Sequence, residues 1–204
     1  VKRLFVLWVL TVASFAAQAA TPSILVFGDS LSAGFGLSSV NEGWVKLLQG
    51  RLQAEGYGYE VINASVSGET TGGGLARLPR ALSVHHPAIV ILELGANDGL
   101  RGLPVAALRT NLAQLVGLAR AAGAEVLLLG MRMPPNYGAA YTEPFHAAFV
   151  DLSSRLHLRS VDFLLQDVAL DPGLMQADDF HPNEKGQPRL LQTVWPALQP
   201  MLHR

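Results

Sequence analysis

Ser30 stands two residues beyond Gly28, which brings an apolar run, Ile24 to Phe27, to a stop. In an α/β fold the C-terminal ends of strands gather loops into a crevice where ligands bind. A serine there is well placed to attack a carbonyl, but its hydroxyl is a weak nucleophile until a base activates it. Far down the chain, Asp178-Asp179-Phe180-His181-Pro182 offers the missing partners. A short loop between Asp178 and His181 can turn the carboxylate toward Nδ1 and leave Nε2 free for the Ser30 proton. The acid then fixes the tautomer and stabilises the imidazolium. On residue type alone Asp179 competes with Asp178 for that role.

Acyl transfer also needs donors aimed at the developing oxyanion, and loss of one donor costs about 2.7–4 kcal/mol of barrier lowering. Three are available near strand ends: the N–H of Ser30, the N–H of Gly68 and the side-chain amide of Asn97. Glycine lets the backbone approach a reacting carbonyl without a Cβ in the way. The asparagine amide is neutral and donates two hydrogen bonds.

The elements that must position these residues follow from apolar patterning. Ser23 to Phe27, Tyr59 to Ile62, Ala88 to Leu94, Glu125 to Leu129 and Arg159 to Phe163 predict short strands bounded by Gly, Pro or Asn. Between them, helical spacing predicts helices from Trp44 to near Gly56, from about Leu75 to His85 and His86, from Pro104 through Ala122, and from about Thr142 to Leu156. A last helix is expected from about Pro188 to Leu202, with Pro196 kinking it. Ser65 to Gly74 and Met131 to Tyr141 are expected as loops. Alternating strands and helices predict one α/β domain, residues 20–204, with a parallel sheet covered on both faces.

Composition narrows the chemistry. Half of the 204 residues are hydrophobic, enough for a sizeable core, and the net charge of −1 gives no electrostatic basis for a nucleic-acid partner. With no cysteine, disulfides, thiol catalysis and cysteine zinc sites are excluded. No His-Glu-x-x-His or comparable cluster predicts a metal site. Nothing in the sequence requires more than a monomer.

Residues 1–19 have another character. Lys2 and Arg3 precede a mostly apolar stretch, Leu4 to Phe15, and Ala17-Gln18-Ala19 gives a small-x-small site. That layout predicts a cleaved secretory signal, with an uncleaved anchor as the alternative. Removing 19 of the 204 residues leaves 185, with 13 basic residues against 16 acidic ones and a net charge of −3.

Four blocks in order give the chain a resemblance to the GDSL, or SGNH, serine esterases and lipases. Gly28-Asp29-Ser30-Leu31 resembles the first block, Asn63-Ala64-Ser65-Val66-Ser67-Gly68-Glu69-Thr70 the second, Gly95-Ala96-Asn97-Asp98 the third and Asp178-Asp179-Phe180-His181-Pro182 the last. The resemblance implies Ser30 as nucleophile, His181 as base and Asp178, rather than Asp179, as acid. It implies an oxyanion hole of Ser30, Gly68 and Asn97. It also implies a three-layer α/β/α, flavodoxin-like fold with a five-stranded parallel sheet, no metal or cofactor, and hydrolysis of acyl esters and thioesters. Leu94 to Gly102 and Pro135-Asn136-Tyr137-Gly138 look most like the bacterial periplasmic thioesterase, lysophospholipase and arylesterase branch. That branch implies small-molecule acyl substrates, a periplasmic location and no stable membrane insertion of the mature chain. A carbohydrate O-acetylesterase or a non-catalytic lipid-binding module on the same scaffold are the rivals.

Leu100, Leu103 and Tyr137 are candidates for the substrate wall, with packing on the scaffold as the alternative for each. Asp29 is expected to bond its own turn, as aspartates commonly do. Glu93 lies in an otherwise apolar strand and needs a partner that the sequence does not name. His85, His86, His146, His157 and His203 read as helix-end or surface residues. The serine lies after the first strand with acid and base on one late loop, unlike the Gly-x-Ser-x-Gly elbow of α/β-hydrolases.

Overall fold

The computed structural model describes residues 21–204, so the expected signal segment, residues 1–19, lies outside the described residues. In chain order the elements are β1 (Ser23–Gly28), α1 (Ser30–Ala33), α2 (Trp44–Ala54), β2 (Glu60–Asn63), α3 (Thr71–His85), β3 (Ile89–Glu93), α4 (Ala96–Leu100), α5 (Val105–Ala121), β4 (Glu125–Leu129), α6 (Ala139–Leu156), β5 (Arg159–Val161) and α7 (Gln187–Leu198). Every paired strand is parallel, and the order across the sheet is β2-β1-β3-β4-β5. This is the flavodoxin-like order, in which the chain reverses its direction of winding at the β1/β3 boundary and opens a crevice there.

Burial follows position in the sheet. All six residues of β1 and all five of β3 are buried, as expected where helices cover both faces. The edge strands β2 and β5 are mostly exposed or half-buried and correspondingly less apolar. Helices α2 and α7 pack together, while α3, α5 and α6 pack in series. The central core runs through Phe27, Leu92, Leu94, Leu115, Leu128 and Leu190.

Several boundaries differ from those expected. Helix α3 begins at Thr71, so Gly72, Gly73 and Gly74 form its first turn and are not loop. Thr70 caps it by accepting from the Gly73 N–H. Gly74 is there for contact: a Cβ would lie 2.6 Å from Leu94 Cδ1 and 3.3 Å from Phe27 Cε1. Helix α6 begins at Ala139 and β5 stops at Val161. Pro196 is accommodated inside α7, which ends at Leu198 and passes into a 3₁₀ turn, Gln199–Met201.

Candidate active site

The parallel register sets the site's foundation. Gly28 at the end of β1 pairs with Glu93 at the end of β3. The fully buried Glu93 carboxylate therefore turns toward the residues after β1, where Oε2 accepts from the Asp29 N–H at 3.2 Å and from Ser32 Oγ at 2.7 Å. This is the partner that the sequence did not name. Glu93 also dictates the glycine before it, since a Cβ on Gly28 would lie 2.5 Å from Glu93 Oε2 and 2.9 Å from its backbone oxygen. Burial, reinforced by the Asp29 charge, pushes the Glu93 carboxyl well above the usual range.

Asp29 is also fully buried and does more than close its own turn. Oδ1 accepts from the Leu31 N–H at 3.1 Å and caps the short α1, while Oδ2 accepts from Asn97 Nδ2 at 3.0 Å. Burial pushes its carboxyl up to about 6, against the lowering pull of Leu31, Asn97 and His181. One N–H of the Asn97 amide is thereby fixed, which sets the direction of the other.

Asp98 joins the loops that carry Gly68 and Asn97. Its carboxylate accepts from the Thr71 N–H at 2.8 Å and from Thr71 Oγ1, and Asn111 Nδ2 donates to that hydroxyl at 3.0 Å. The start of α4 is thus tied to the start of α3, three residues after Gly68. Gly68 itself has φ +80°, a left-handed conformation that favours glycine, and its carbonyl accepts from Arg101 Nη2 at 2.8 Å.

Ser30 and the late loop meet across the crevice. His181 Nε2 lies 2.8 Å from Ser30 Oγ, and His181 Nδ1 lies 2.6 Å from Asp178 Oδ2. The other Asp178 oxygen accepts from the backbone N–H groups of Phe180 and His181, both at 3.0 Å. Partial burial raises the Asp178 carboxyl, but these bonds with the His181 ring and the two N–H groups outweigh it, holding the carboxyl at about 2. Asp178, not Asp179, therefore faces the imidazole. Asp179 has φ 60° and carries the turn between acid and histidine.

Ser30, Gly68, Asn97 and His181 line one cavity of about 770 Å³, whose far wall includes Met131, Met133, Phe163, Leu165, Leu170 and Met175. Leu100 lines it, whereas Leu103 and Tyr137 stand outside. Tyr137 donates its hydroxyl to the Leu100 carbonyl at 3.3 Å, and Leu103 is exposed with its carbonyl taken by Tyr141 Oη at 2.9 Å. Both belong to the scaffold that carries Leu100. His85 ends α3, and His86 and His157 cap helices with positive φ. His146 lies within α6 with its side chain partly exposed, and its Nε2 contacts Asp162 Oδ1 at 2.9 Å. Among the described residues no His/Asp/Glu cluster is arranged to hold a metal, and no helix is long and apolar enough to cross a membrane.

A model of the GDSL-like lipase/acylhydrolase family matches residues 26–189, a span that contains all of these groups. The chain belongs to that family. Among its GDSL relatives, esterase TesA of Pseudomonas aeruginosa is 52% identical over 185 residues, covering 91% of this chain and 92% of that protein. Thioesterase 1/protease 1/lysophospholipase L1 of Escherichia coli K12 is 40% identical over 185 residues, covering 91% and 87%. A crystal structure of TesA superposes with a TM-score of 0.86 at 52% identity, covering 88% of this chain and 99% of that one. GDSL membership accounts for the order of the four sequence blocks, which the fold assembles around one crevice.

Proposed function

We propose that this GDSL hydrolase is a serine esterase and thioesterase that works through an acyl-enzyme intermediate. His181 Nε2 takes the Ser30 proton as Oγ attacks the acyl carbonyl, and Asp178 stabilises the imidazolium. The oxyanion rests on the Ser30 N–H, the Gly68 N–H and the outer N–H of Asn97. His181 then protonates the departing alcohol or thiol, and water repeats the sequence to release the acid and regenerate Ser30. The observation that carries this reading is the unbroken chain Ser30 Oγ to His181 Nε2 at 2.8 Å and His181 Nδ1 to Asp178 Oδ2 at 2.6 Å, opening into the cavity that also holds Gly68 and Asn97.

The size and apolar wall of that cavity support medium or long acyl chains over acetyl groups. Aryl esters, acyl thioesters and lysophospholipids are the proposed substrates, handled by a monomeric periplasmic enzyme whose residues 1–19 direct export. An alkyl fluorophosphonate tests the reaction: the mature protein becomes stoichiometrically labelled on Ser30, and Ser30→Ala takes no label and loses turnover. Absence of a Ser30 adduct on the parent protein would leave a lipid-binding module in its place. A panel of acyl esters tests the substrate class, with octanoyl preferred over acetyl; the reverse preference would make it an O-acetylesterase.

A further inference from the structure

The base sits on a loop that the sheet does not hold, so something else must fix its distance from the nucleophile. Residues 174–183 form a loop pinched by a bridge between Met175 and Pro182. The next residue inward, Gln176, contacts the loop at every polar atom of its backbone. Its N–H donates to the His181 carbonyl at 2.7 Å, and its carbonyl accepts from the Asp179 N–H at 3.1 Å. Its side chain then reaches across the crevice. Nε2 donates to the Phe35 carbonyl at 2.8 Å and to the Pro182 carbonyl at 3.1 Å. Because both partners are carbonyls, they fix the amide with nitrogen toward them and leave no ambiguity about its flip.

Phe35 comes just after Gly34, the C-cap of the nucleophile's helix, and its N–H donates to the Ser30 carbonyl at 3.2 Å. Its ring lies 4.6 Å from the His181 ring, centroid to centroid. One carboxamide therefore joins the segment behind Ser30 to the residue after His181, while the aromatic ring in that segment bears on the imidazole. The space for it is made by Gly36, where a Cβ would collide with Gln176 Oε1 and where φ is +73°. On the loop's other side, the buried Gln187 donates to the same Pro182 carbonyl at 3.1 Å and accepts from the Trp44 N–H at 3.0 Å. Pro182 is thus anchored to α2, and Gln176 alone of the two glutamines reaches the nucleophile's loop.

We propose that Gln176 is a positioning residue, whose side-chain amide clasps the Phe35 and Pro182 carbonyls and so holds His181 Nε2 against Ser30 Oγ. The proposal rests on the esterase reading of this site. Its chemistry is specific, since only a group with two N–H donors at that reach satisfies both carbonyls. Glutamate has the same shape, yet as a carboxylate it has no donor and faces two acceptor oxygens.

The test compares Gln176→Ala and Gln176→Glu with Gln49→Ala. Gln49 is a matched control distant from the crevice, because its carboxamide also spans two backbone groups, Tyr59 O at 3.1 Å and Val61 N at 2.7 Å. Steady-state kinetics on a soluble short-chain aryl ester, thermal melting and the proton resonance of His181 Nδ1–H are measured on each. Both Gln176 variants are expected to lower kcat by roughly tenfold to a hundredfold, the scale of a misplaced reacting group, with KM within about twofold. The Nδ1–H resonance should broaden or shift in both, and Gln49→Ala should lower the melting temperature while keeping kcat and the resonance. The proposal is overturned if both Gln176 variants keep kcat within about twofold, or if their losses only track the fraction unfolded as in Gln49→Ala. Fluorophosphonate labelling of Ser30 in the parent protein separates that outcome from failure of the esterase reading, because it does not depend on Gln176.

Discussion

The two sides of the crevice are held by opposite means. On the nucleophile side, the supporting carboxyl groups lie beneath the sheet's end: Asp29 and Glu93 are 0% exposed and Asp98 is 3% exposed. Their bonds connect the ends of β1 and β3 with the starts of α1, α3 and α4, so the position of Ser30 and Asn97 is part of the core packing. On the base side, the His181 side chain is 21% exposed and that of Asp178 is 39% exposed. There the geometry comes from a loop's own backbone, two glutamines and an asparagine, Asn183, whose Nδ2 donates to Gly173 and Met175 at 3.0 and 2.9 Å. In the proposed mechanism the oxyanion donors must not move while charge develops, and low-dielectric burial is what makes fixed dipoles effective there. In the same mechanism His181 exchanges protons with substrate and water, which suits a braced loop at the surface. Rigidity is supplied from the core on one side and from local hydrogen bonds on the other.

The largest effect expected from this contrast falls on the exposed side. Asp178→Asn keeps the shape but removes the charge that stabilises the imidazolium and offers Nδ1–H the wrong partner when the amide flips. Turnover should fall by about 10³- to 10⁴-fold with folding retained. Asp179→Asn, one residue away, should stay within roughly a factor of five, as for an exposed charge without a specific partner. Initial rates on an aryl ester check both. If Asp179→Asn were the silent enzyme and Asp178→Asn the active one, the base side would be braced differently from the contacts described.

Much of this arrangement is legible in the sequence, because strand ends in a parallel sheet share one edge and three polar blocks follow such ends, while the fourth, Asp178 to Pro182, comes on a late loop with an acid and a histidine three residues apart. Ser30, Gly68 and Asn97 are singled out that way, and Asp178 and His181 by the late block, with Asp178 preferred over Asp179 on the family resemblance; the fold brings Ser30, Gly68, Asn97 and His181 to one cavity with Asp178 behind the imidazole. What escapes is contact between segments with no periodic signal. Glu93 reads as an anomaly in an apolar strand, since its partners, the Asp29 N–H and Ser32 Oγ, lie more than 60 residues away. Gly72 to Gly74 reads as loop because glycine is a poor helix former, and the Leu94 and Phe27 contacts that justify Gly74 are tertiary. Leu103 and Tyr137 share the polarity of substrate-wall residues, yet their neighbours Leu100 and Tyr141 determine that they serve as scaffold.

The second prediction concerns the sign of pH dependence, which should differ between the two sides. Asp29 binds its proton more tightly in the folded chain, where its value rises from 3.8 to about 6. Stability from this group is therefore present at low pH and falls as pH climbs through that interval, by on the order of 3 kcal/mol. Glu93, also raised by burial, acts in the same sense. Asp178 is lowered from 3.8 to about 2, so its contribution is present above 3.8 and lost as pH falls toward 2. Urea unfolding followed across both intervals should show two slopes of opposite sign. Asp29→Asn should reduce the upper slope and leave the lower one, and Asp178→Asn should do the reverse. A variant that changed the other side's slope would mean that the two networks share one titration.

The smallest effect lies in the helix that braces the nucleophile side. Gly72 and Gly74 at the start of α3 offer a controlled pair, because they share a helix turn and differ in what faces them. At Gly72 a Cβ would have only Asn111 Nδ2 at 3.8 Å and Thr70 Oγ1 at 3.9 Å, ordinary contact. Gly72→Ala should therefore show the helix-propensity gain alone, up to about 1 kcal/mol, and a melting temperature higher by roughly 1–4 °C. At Gly74 the same methyl would meet Leu94 Cδ1 at 2.6 Å, and overpacking of about 1–3 kcal/mol opposes that gain. Gly74→Ala should melt lower than the parent, and kcat should fall with it, because lifting α3 from the sheet pulls on Thr71, its Asp98 partner and the Gly68 loop. If Gly74→Ala melted lower but kept full kcat, the oxyanion loops would be held independently of core packing. Both glycines shifting alike would instead reduce the bracing by α3 to backbone propensity, with the close approach to Leu94 contributing nothing.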